Sequence, residues 1–380
     1  MKKTQGLLLL FSLLFSLCAP PKEQSISSKR TSKKFRTIAY VNRLEDNWGS
    51  EFEKAKHITH INFAFANIKD GKIVEGSSED DATIRQLQQL KKVNPDLKIL
   101  ISVGGWTWSE NFSDAVLTPQ ARETFAQSAI DFLKKHQLDG VDLDWEYPGL
   151  PGNGNTHRPE DKENFTAILK LIREKLDAYA KGKAHYLLTI ATGASKAYLE
   201  HTNMAEAQKY LDFINIMTYD FHGAGEDKTG HHANLFVSEH DDNAVALCAA
   251  TAVQQHLDAG IPADKLVLGV PFYGRWWHSV DSVNNGCYQS REIKGGGTYT
   301  YHFITDSLLN KNGFQYHWDE SAKAPYLWRP SDGQFVTYED QKSLKIKVDF
   351  VRERSLGGIM FWEFNGDNGE LLTTISENLE

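Results

Sequence analysis

The chain has 380 residues, 41% of them hydrophobic and 11% aromatic. That is enough for one large domain with an insertion, since about 250 residues suffice for a single barrel. A formal net charge of -8 gives no extended positive field, which argues against a nucleic-acid partner and for a neutral, polar one.

In chain order, Met1-Lys2-Lys3, an apolar run over 7–17 and Cys18-Ala19-Pro20 match the charged, apolar and small-residue segments of a secretory leader. The run is too short for a comfortable membrane span. A leader over 1–19 and a flexible Lys/Ser-rich linker over 20–34 are therefore expected, in an exported protein that is secreted, periplasmic or surface-tethered. Cys18 is an alternative site of lipidation, although Leu17 is bulky where such sites want a small residue. Beyond it only Cys248 and Cys287 remain, too few for a disulfide framework, so stability has to come from the core.

From Arg36 onward short β-rich runs alternate with longer helical-period stretches, the pattern of βα units and a parallel sheet. The pattern predicts strands over 36–41, 58–66, 98–103, 140–146, 186–192, 213–219, 266–271 and 358–363, and helices over 81–92, 118–136, 161–180, 242–259, 339–354 and 370–377. In the clearest helix Thr118 is the N-cap, Pro119 takes the first position, and Phe125, Ala129, Phe132 and Leu133 form one stripe. Eight strands with intervening helices predict an α/β fold, a closed (β/α)8 TIM barrel. The interval 276–336 is too long for a loop and too aromatic for disorder. It reads as a small α+β insertion between the seventh strand and its helix, leaving 35–275 and 337–380 as the barrel.

The strongest chemical feature is the run in the fourth strand, where Asp142, Asp144 and Glu146 alternate with Val141, Leu143 and Trp145. A period of two sends the carboxylates to the barrel interior and the apolar residues to the helix layer. Buried acids in a row are costly unless they share protons or meet donors, which argues for function. Asp139 breaks the period and reads as a structural hydrogen-bonding acid near the strand start. The 14 histidines show no metal-ligand spacing, and His231-His232, in a Gly/Asn-rich loop, reads as a solvated pair. Neither a metal nor a cofactor is expected.

Asp139-x-x-Asp142-x-Asp144-x-Glu146 followed by Tyr147-Pro148 resembles the signature of glycoside hydrolase family 18, the chitinases. Supporting matches run along the chain: Tyr40, Ala64-Phe65-Ala66, Ser102-Val-Gly104-Gly105-Trp106, Met217-Thr-Tyr219-Asp220, Gly269-Val-Pro-Phe-Tyr273-Gly-Arg275 and Gly357-Gly-Ile-Met-Phe-Trp362-Glu363. The insertion is similar to the subdomain of a subfamily with a deeper cleft.

The resemblance implies substrate-assisted hydrolysis of chitin or chito-oligosaccharides by a monomer, an exception to the two-carboxylate scheme. Glu146 would act as acid and then base, with the substrate's acetamido oxygen as nucleophile and Asp144 and Tyr219 stabilising the cyclic cation. Asp142 and Asp144 would share a proton and pass it toward Glu146. Trp362 would be the floor under the cleaved sugar, and Trp106 a stacking residue on the leaving-group side, which Trp108 either extends or merely supports. Tyr40, Met217, Asp220, Tyr273 and Arg275 match positions lining the subsite that bends the sugar, and Ser102 would hydrogen-bond Asp142 or be structural. Two other readings share the fold: an endo-β-N-acetylglucosaminidase acting on N-glycans, against which the large insertion speaks, and a non-catalytic chitin-binding lectin, against which Glu146 speaks.

Overall fold

The structure, a computed structural model, describes Met1 and residues 35–43, 51–243, 245 and 247–379. Apart from Met1, the expected leader and the linker, Cys18 included, lie outside the described residues. Fourteen strands follow in order: β1 (Arg36–Val41), β2 (His60–Lys69), β3 (Lys72–Glu75), β4 (Lys98–Gly104), β5 (Gly140–Asp144), β6 (Leu187–Gly193), β7 (Phe213–Met217), β8 (Leu266–Pro271), β9 (Tyr273–Trp277), β10 (Gly296–Thr300), β11 (Gln315–Asp319), β12 (Ala324–Arg329), β13 (Gln334–Thr337) and β14 (Gly358–Trp362). The sheet order β1-β14-β8-β7-β6-β5-β4-β2 is parallel throughout, and β1 also pairs with β2, which closes an eight-stranded barrel.

Alternation along the strands builds two separate apolar layers. Ala39, Val41, Ile61, Phe63, Val141, Leu143, Ile214, Ile216, Ile359 and Phe361 face the helices, in one large buried cluster. Ile38, Tyr40, Ala64, Phe213, Val267 and Met360 fill the barrel interior. Burying a side chain of this kind contributes about 1.5–3 kcal/mol, so the helix layer dominates the stability. Among the described residues no helix is long and apolar enough to cross a membrane.

Helix Pro119–His136 starts as its sequence implies: the Thr118 hydroxyl accepts the Ala121 amide at 3.1 Å, with Pro119 in the first turn. Helix Gln341–Glu353 is fixed by a reciprocal capping box between Asp340 and Ser343. The helix expected over 242–259 begins only at Ala249. Asn234 takes the chain before it instead, its side-chain amide donating to Leu247 O at 2.9 Å and its backbone carbonyl accepting the Ala249 amide at 3.0 Å. The hairpin strand β3, antiparallel to β2, was not expected, since four residues carry too little alternation to register.

β9 continues almost directly from β8, and β10-β9-β13-β12-β11 form a five-stranded antiparallel sheet. The inserted sheet thus begins at Tyr273, not at 276. Tyr273 and Arg275 lie on one face of β9, and Trp277 two residues on enters a core with Val280, Cys287, Tyr288, Tyr326, Trp328 and Phe335.

Candidate active site

β5 stops at Asp144, two residues before Glu146. Its last ladder partner is Gly104 of β4, which turns there with φ +99, and a Cβ on it would lie 2.5 Å from Asp144 O. Only glycine allows that approach. Ser109, in the turn that follows, then ties the strand end down: its hydroxyl donates to Asp144 O at 3.1 Å and accepts the Glu146 amide at 2.9 Å. β7 likewise stops at Met217, short of Tyr219, because Thr218 turns out of the ladder and donates to Gly269 O at 2.6 Å. Glu146 and Tyr219 therefore sit just beyond their strands, at the C-terminal mouth where barrel enzymes keep their chemistry.

Asp142 is fully buried. Its ladder partners on either side are Ser102 and Thr189, so both hydroxyls share its inward face: Ser102 donates to Oδ2 at 2.7 Å and Thr189 to Oδ1 at 2.5 Å. Tyr40, reaching from β1, donates to Oδ2 at 2.8 Å. Burial still raises the Asp142 carboxyl above its ordinary range, with the three hydroxyls opposing. The shared proton expected between Asp142 and Asp144 is not seen as a hydrogen bond. Asp142 spends its oxygens on hydroxyls, and Asp144 Oδ1 is buried with no partner among the described residues.

Burial, with Glu146 and Asp142 on either side, pushes Asp144 well above the carboxylate range. Glu146 is 8% exposed and burial lifts it to about 7, against a hydrogen bond from Tyr147 and with help from the Asp220 charge. The result is a carboxylic acid that holds its proton near neutrality beside a second carboxyl group. Burial, with Asp144 and Asp220 nearby, likewise keeps the Tyr219 hydroxyl protonated and able to donate; here it points at Met360 Sδ, 3.8 Å away.

Opposite these acids, Asp220 accepts from Tyr273 Oη and Arg275 Nε, each at 2.7 Å. Burial opposes its charge, but His232 and Arg275 outweigh that and hold the carboxyl below its ordinary range. The floor is aromatic. Trp362 stacks on Phe65 with centroids 5.4 Å apart and tilts against Tyr40 at 5.8 Å, and Met217 packs on the same interior cluster. Trp106 is 52% exposed, a large ring offered to solvent beside the mouth. Trp108 instead packs over Gly76, where any Cβ would lie 2.2 Å from its ring.

Asp139 is elsewhere: at the N-terminal start of β5 it pairs with Lys91 at 2.6 Å and accepts the Ile99 amide at 2.8 Å. His231 and His232 are also not the solvated pair expected, since both are fully buried. His232 faces Asp220 at 3.6 Å, and packing against the inserted sheet removes the loop from water. Sequence reading also passed over Ser109, Thr189, Phe65 and Asn215, whose amide donates to Tyr40 Oη at 3.4 Å. Their roles depend on which strand lies alongside, and only for Phe65, inside Ala64-Phe65-Ala66, was there a local signal.

The chain is similar to Chitinase A1 of Niallia circulans, 38% identical over an alignment covering 98% of this chain and 62% of that protein; it thus spans under two thirds of that relative's length. Among solved structures, it resembles a glycoside hydrolase family 18 N-acetylglucosaminidase from Paenibacillus barengoltzii at 39% identity and a TM-score of 0.84, covering 91% of this chain and all of that one. A Bacillus thuringiensis chitinase superposes with a TM-score of 0.85 at 33% identity, covering 91% of this chain and 70% of that one. The family model for the glycosyl hydrolases of family 18 matches residues 36–367, the whole barrel from β1 through β14 with its insertion, and the chain belongs to that family.

Proposed function

We propose that this chain is a chitinase, hydrolysing β-1,4 bonds between N-acetylglucosamine units with Glu146 as general acid and base. The observation that carries the reading is Glu146 itself: buried, beside Asp144, at the barrel mouth, and protonated up to about pH 7. An acid with its pKa near the working pH is the most effective proton donor to a leaving oxygen. A sugar stacked on Trp362 has its anomeric carbon presented to the carboxyl pair, because the apolar face of a pyranose covers a flat ring.

Bond cleavage begins when Glu146 gives its proton to the glycosidic oxygen and the substrate's acetamido oxygen closes on the anomeric carbon. The positive charge of the cyclic ion falls to Asp144, whose buried Oδ1 has no hydrogen-bond partner among the described residues, and to the Tyr219 hydroxyl. Glu146, now ionised, takes a proton from the water that opens the ring, and configuration is retained. Asp142, held by three hydroxyls, fixes the strand that carries Asp144 toward the mouth. Asp220, Tyr273 and Arg275 form a polar wall for the sugar being bent, and Trp106 extends the path on the leaving-group side. The leader-like segment over 1–19 supports export, and the chain is read as a monomer.

Partially deacetylated chitin tests the reading. Cuts are expected only where an acetylated unit lies on the non-reducing side of the broken bond. Efficient cleavage after a glucosamine unit would refute the substrate-assisted route. Release of N-glycans from glycoproteins without action on chitin oligomers would refute the substrate.

A further inference from the structure

Outside the mouth, three side chains with metal-binding atoms meet in the core of the inserted subdomain: His231, Cys287 and Asp319, whose donor atoms all lie within 4.8 Å of one another. They come from the loop after β7, the segment before β10 and the end of β11. His231 Nε2 lies 3.2 Å from Asp319 Oδ2 and 3.7 Å from Cys287 Sγ. A tetrahedral zinc ion, at about 2.0–2.2 Å from N and O and about 2.3 Å from S, sets N and O roughly 3.3 Å and N and S roughly 3.6 Å apart. Both edges from His231 already have these lengths, and the remaining edge, from Asp319 to Cys287, is within 4.8 Å.

Two further observations point the same way. Asp319 is buried, and among the described residues no lysine or arginine lies within ion-pair distance of it, His231 being its ion-pair partner. One Asp carboxylate and one Cys thiolate would together neutralise a divalent cation, which removes the cost of burying their charges. The donors are also oriented from outside. Asp319 Oδ1 is fixed by the Ser321 and Ala322 amides at 2.9 and 3.0 Å and by the Ser321 hydroxyl at 2.6 Å, Oδ2 accepts from the Ser238 hydroxyl, and His231 Nδ1 lies 3.5 Å from Thr337 Oγ1. Outer partners of this kind hold ligands in place at metal sites.

We propose that His231 Nε2, Cys287 Sγ and Asp319 Oδ2 bind a structural zinc ion, with a water as fourth ligand, stapling the β9–β13 sheet to the loop after β7. The mixed N, S, O set suits zinc rather than calcium or magnesium. Binding expels the Cys287 thiol proton to solvent, since the thiolate is the ligand. The staple acts on the mouth from behind, because His232, the residue after His231, faces Asp220.

The full chain, produced in zinc-supplemented medium and dialysed against metal-free buffer, is assayed by inductively coupled plasma mass spectrometry. About one zinc per chain is expected, falling at least roughly tenfold in Cys287→Ser and His231→Gln. Chelation should lower the Tm, and zinc should restore it. Cobalt added to the chelated wild-type protein should give tetrahedral visible bands and a thiolate charge-transfer band in the near ultraviolet. That spectrum needs no variant, so a misfolded substitution does not spare the proposal. Zinc well below stoichiometry in the wild type without a cobalt band, or undiminished zinc in folded Cys287→Ser, would overturn it, leaving the trio a hydrogen-bonded chain. Chitin turnover per folded molecule by wild type keeps the two proposals separable.

Discussion

Replacing Glu146 by Gln keeps the shape of the side chain and removes its proton, and its consequences for activity and stability have opposite signs. In the folded protein burial raises the carboxyl from its ordinary value of 4.5 to about 7. Between those two pH values the folded chain holds a proton that the unfolded chain has lost, so stability falls as pH rises through this window. At about 1.4 kcal/mol per pH unit, the accumulated cost at pH 8 is about 3 kcal/mol, and below pH 4.5 it is absent. Gln carries no charge to desolvate. Glu146→Gln is therefore expected to be more stable than wild type at pH 8, by up to about 3 kcal/mol less whatever the Tyr147 contact contributes, and equal to it near pH 4.

Thermal or urea unfolding of both proteins from pH 4 to 8 reads this directly, as a difference that opens with pH. Turnover on chitin oligomers should fall by roughly 10²- to 10⁴-fold in the variant, the usual contribution of a general acid. The wild-type rate should decline above about pH 7, as Glu146 ionises. A stability difference that is flat with pH would refute the burial argument, and a variant that turns over at nearly the wild-type rate would refute the role of Glu146.

Trp362→Ala removes the ring that stacks on Phe65 and Tyr40, and is expected to depress turnover per folded molecule as well as affinity, where loss of a purely structural Trp would cost about 3–5 kcal/mol of stability and leave kinetics intact. Comparing Tm with kcat and KM separates the two. Asp144→Asn is expected to slow hydrolysis by leaving the cyclic cation unstabilised, with no sugar trapped on the protein. Mass spectrometry of the reacting wild type checks this, since a glycosyl adduct on Asp144 would mean an ordinary carboxylate nucleophile.

Much of the barrel was legible because its strands obey a strict period. β1 and β8 have the ends expected from sequence, 36–41 and 266–271, since each is a short β-rich run with a polar or turn residue at its close, Asn42 after β1 and Pro271 at the end of β8. Errors gather where a distant side chain decides. The helix after β7 loses its first turns to Asn234, whose side-chain amide donates to Leu247 O and whose backbone carbonyl accepts the Ala249 amide, and nothing in 242–248 reveals that competition. β5 and β7 were read two residues too long for the opposite reason. The acidic and Met-Thr-Tyr patterns continue the alternation in sequence, while in space Gly104 and Thr218 have already turned the backbone away.

The same distinction separates the acids from their partners. Asp142 and Asp144 could be placed inside the barrel from period two alone, because a strand's own geometry fixes which face a residue takes. What each acid meets there is set by register with the neighbouring strands, and register is a long-range property. Thr189 holds Asp142 from 47 residues away and Ser109 holds the Glu146 amide from 37. The His231-His232 pair shows the limit most plainly. Judged by its Gly/Asn-rich surroundings it belonged in water, yet Asp319, 88 residues on, and Cys287, 56 residues on, close over His231. A search for ligand spacing within one segment cannot find donors that converge only when a sheet inserted after the seventh barrel strand folds back on the loop before it. The order of the acids is thus written locally, in one strand, whereas the meeting of His231, Cys287 and Asp319 is written only in the packing of three segments.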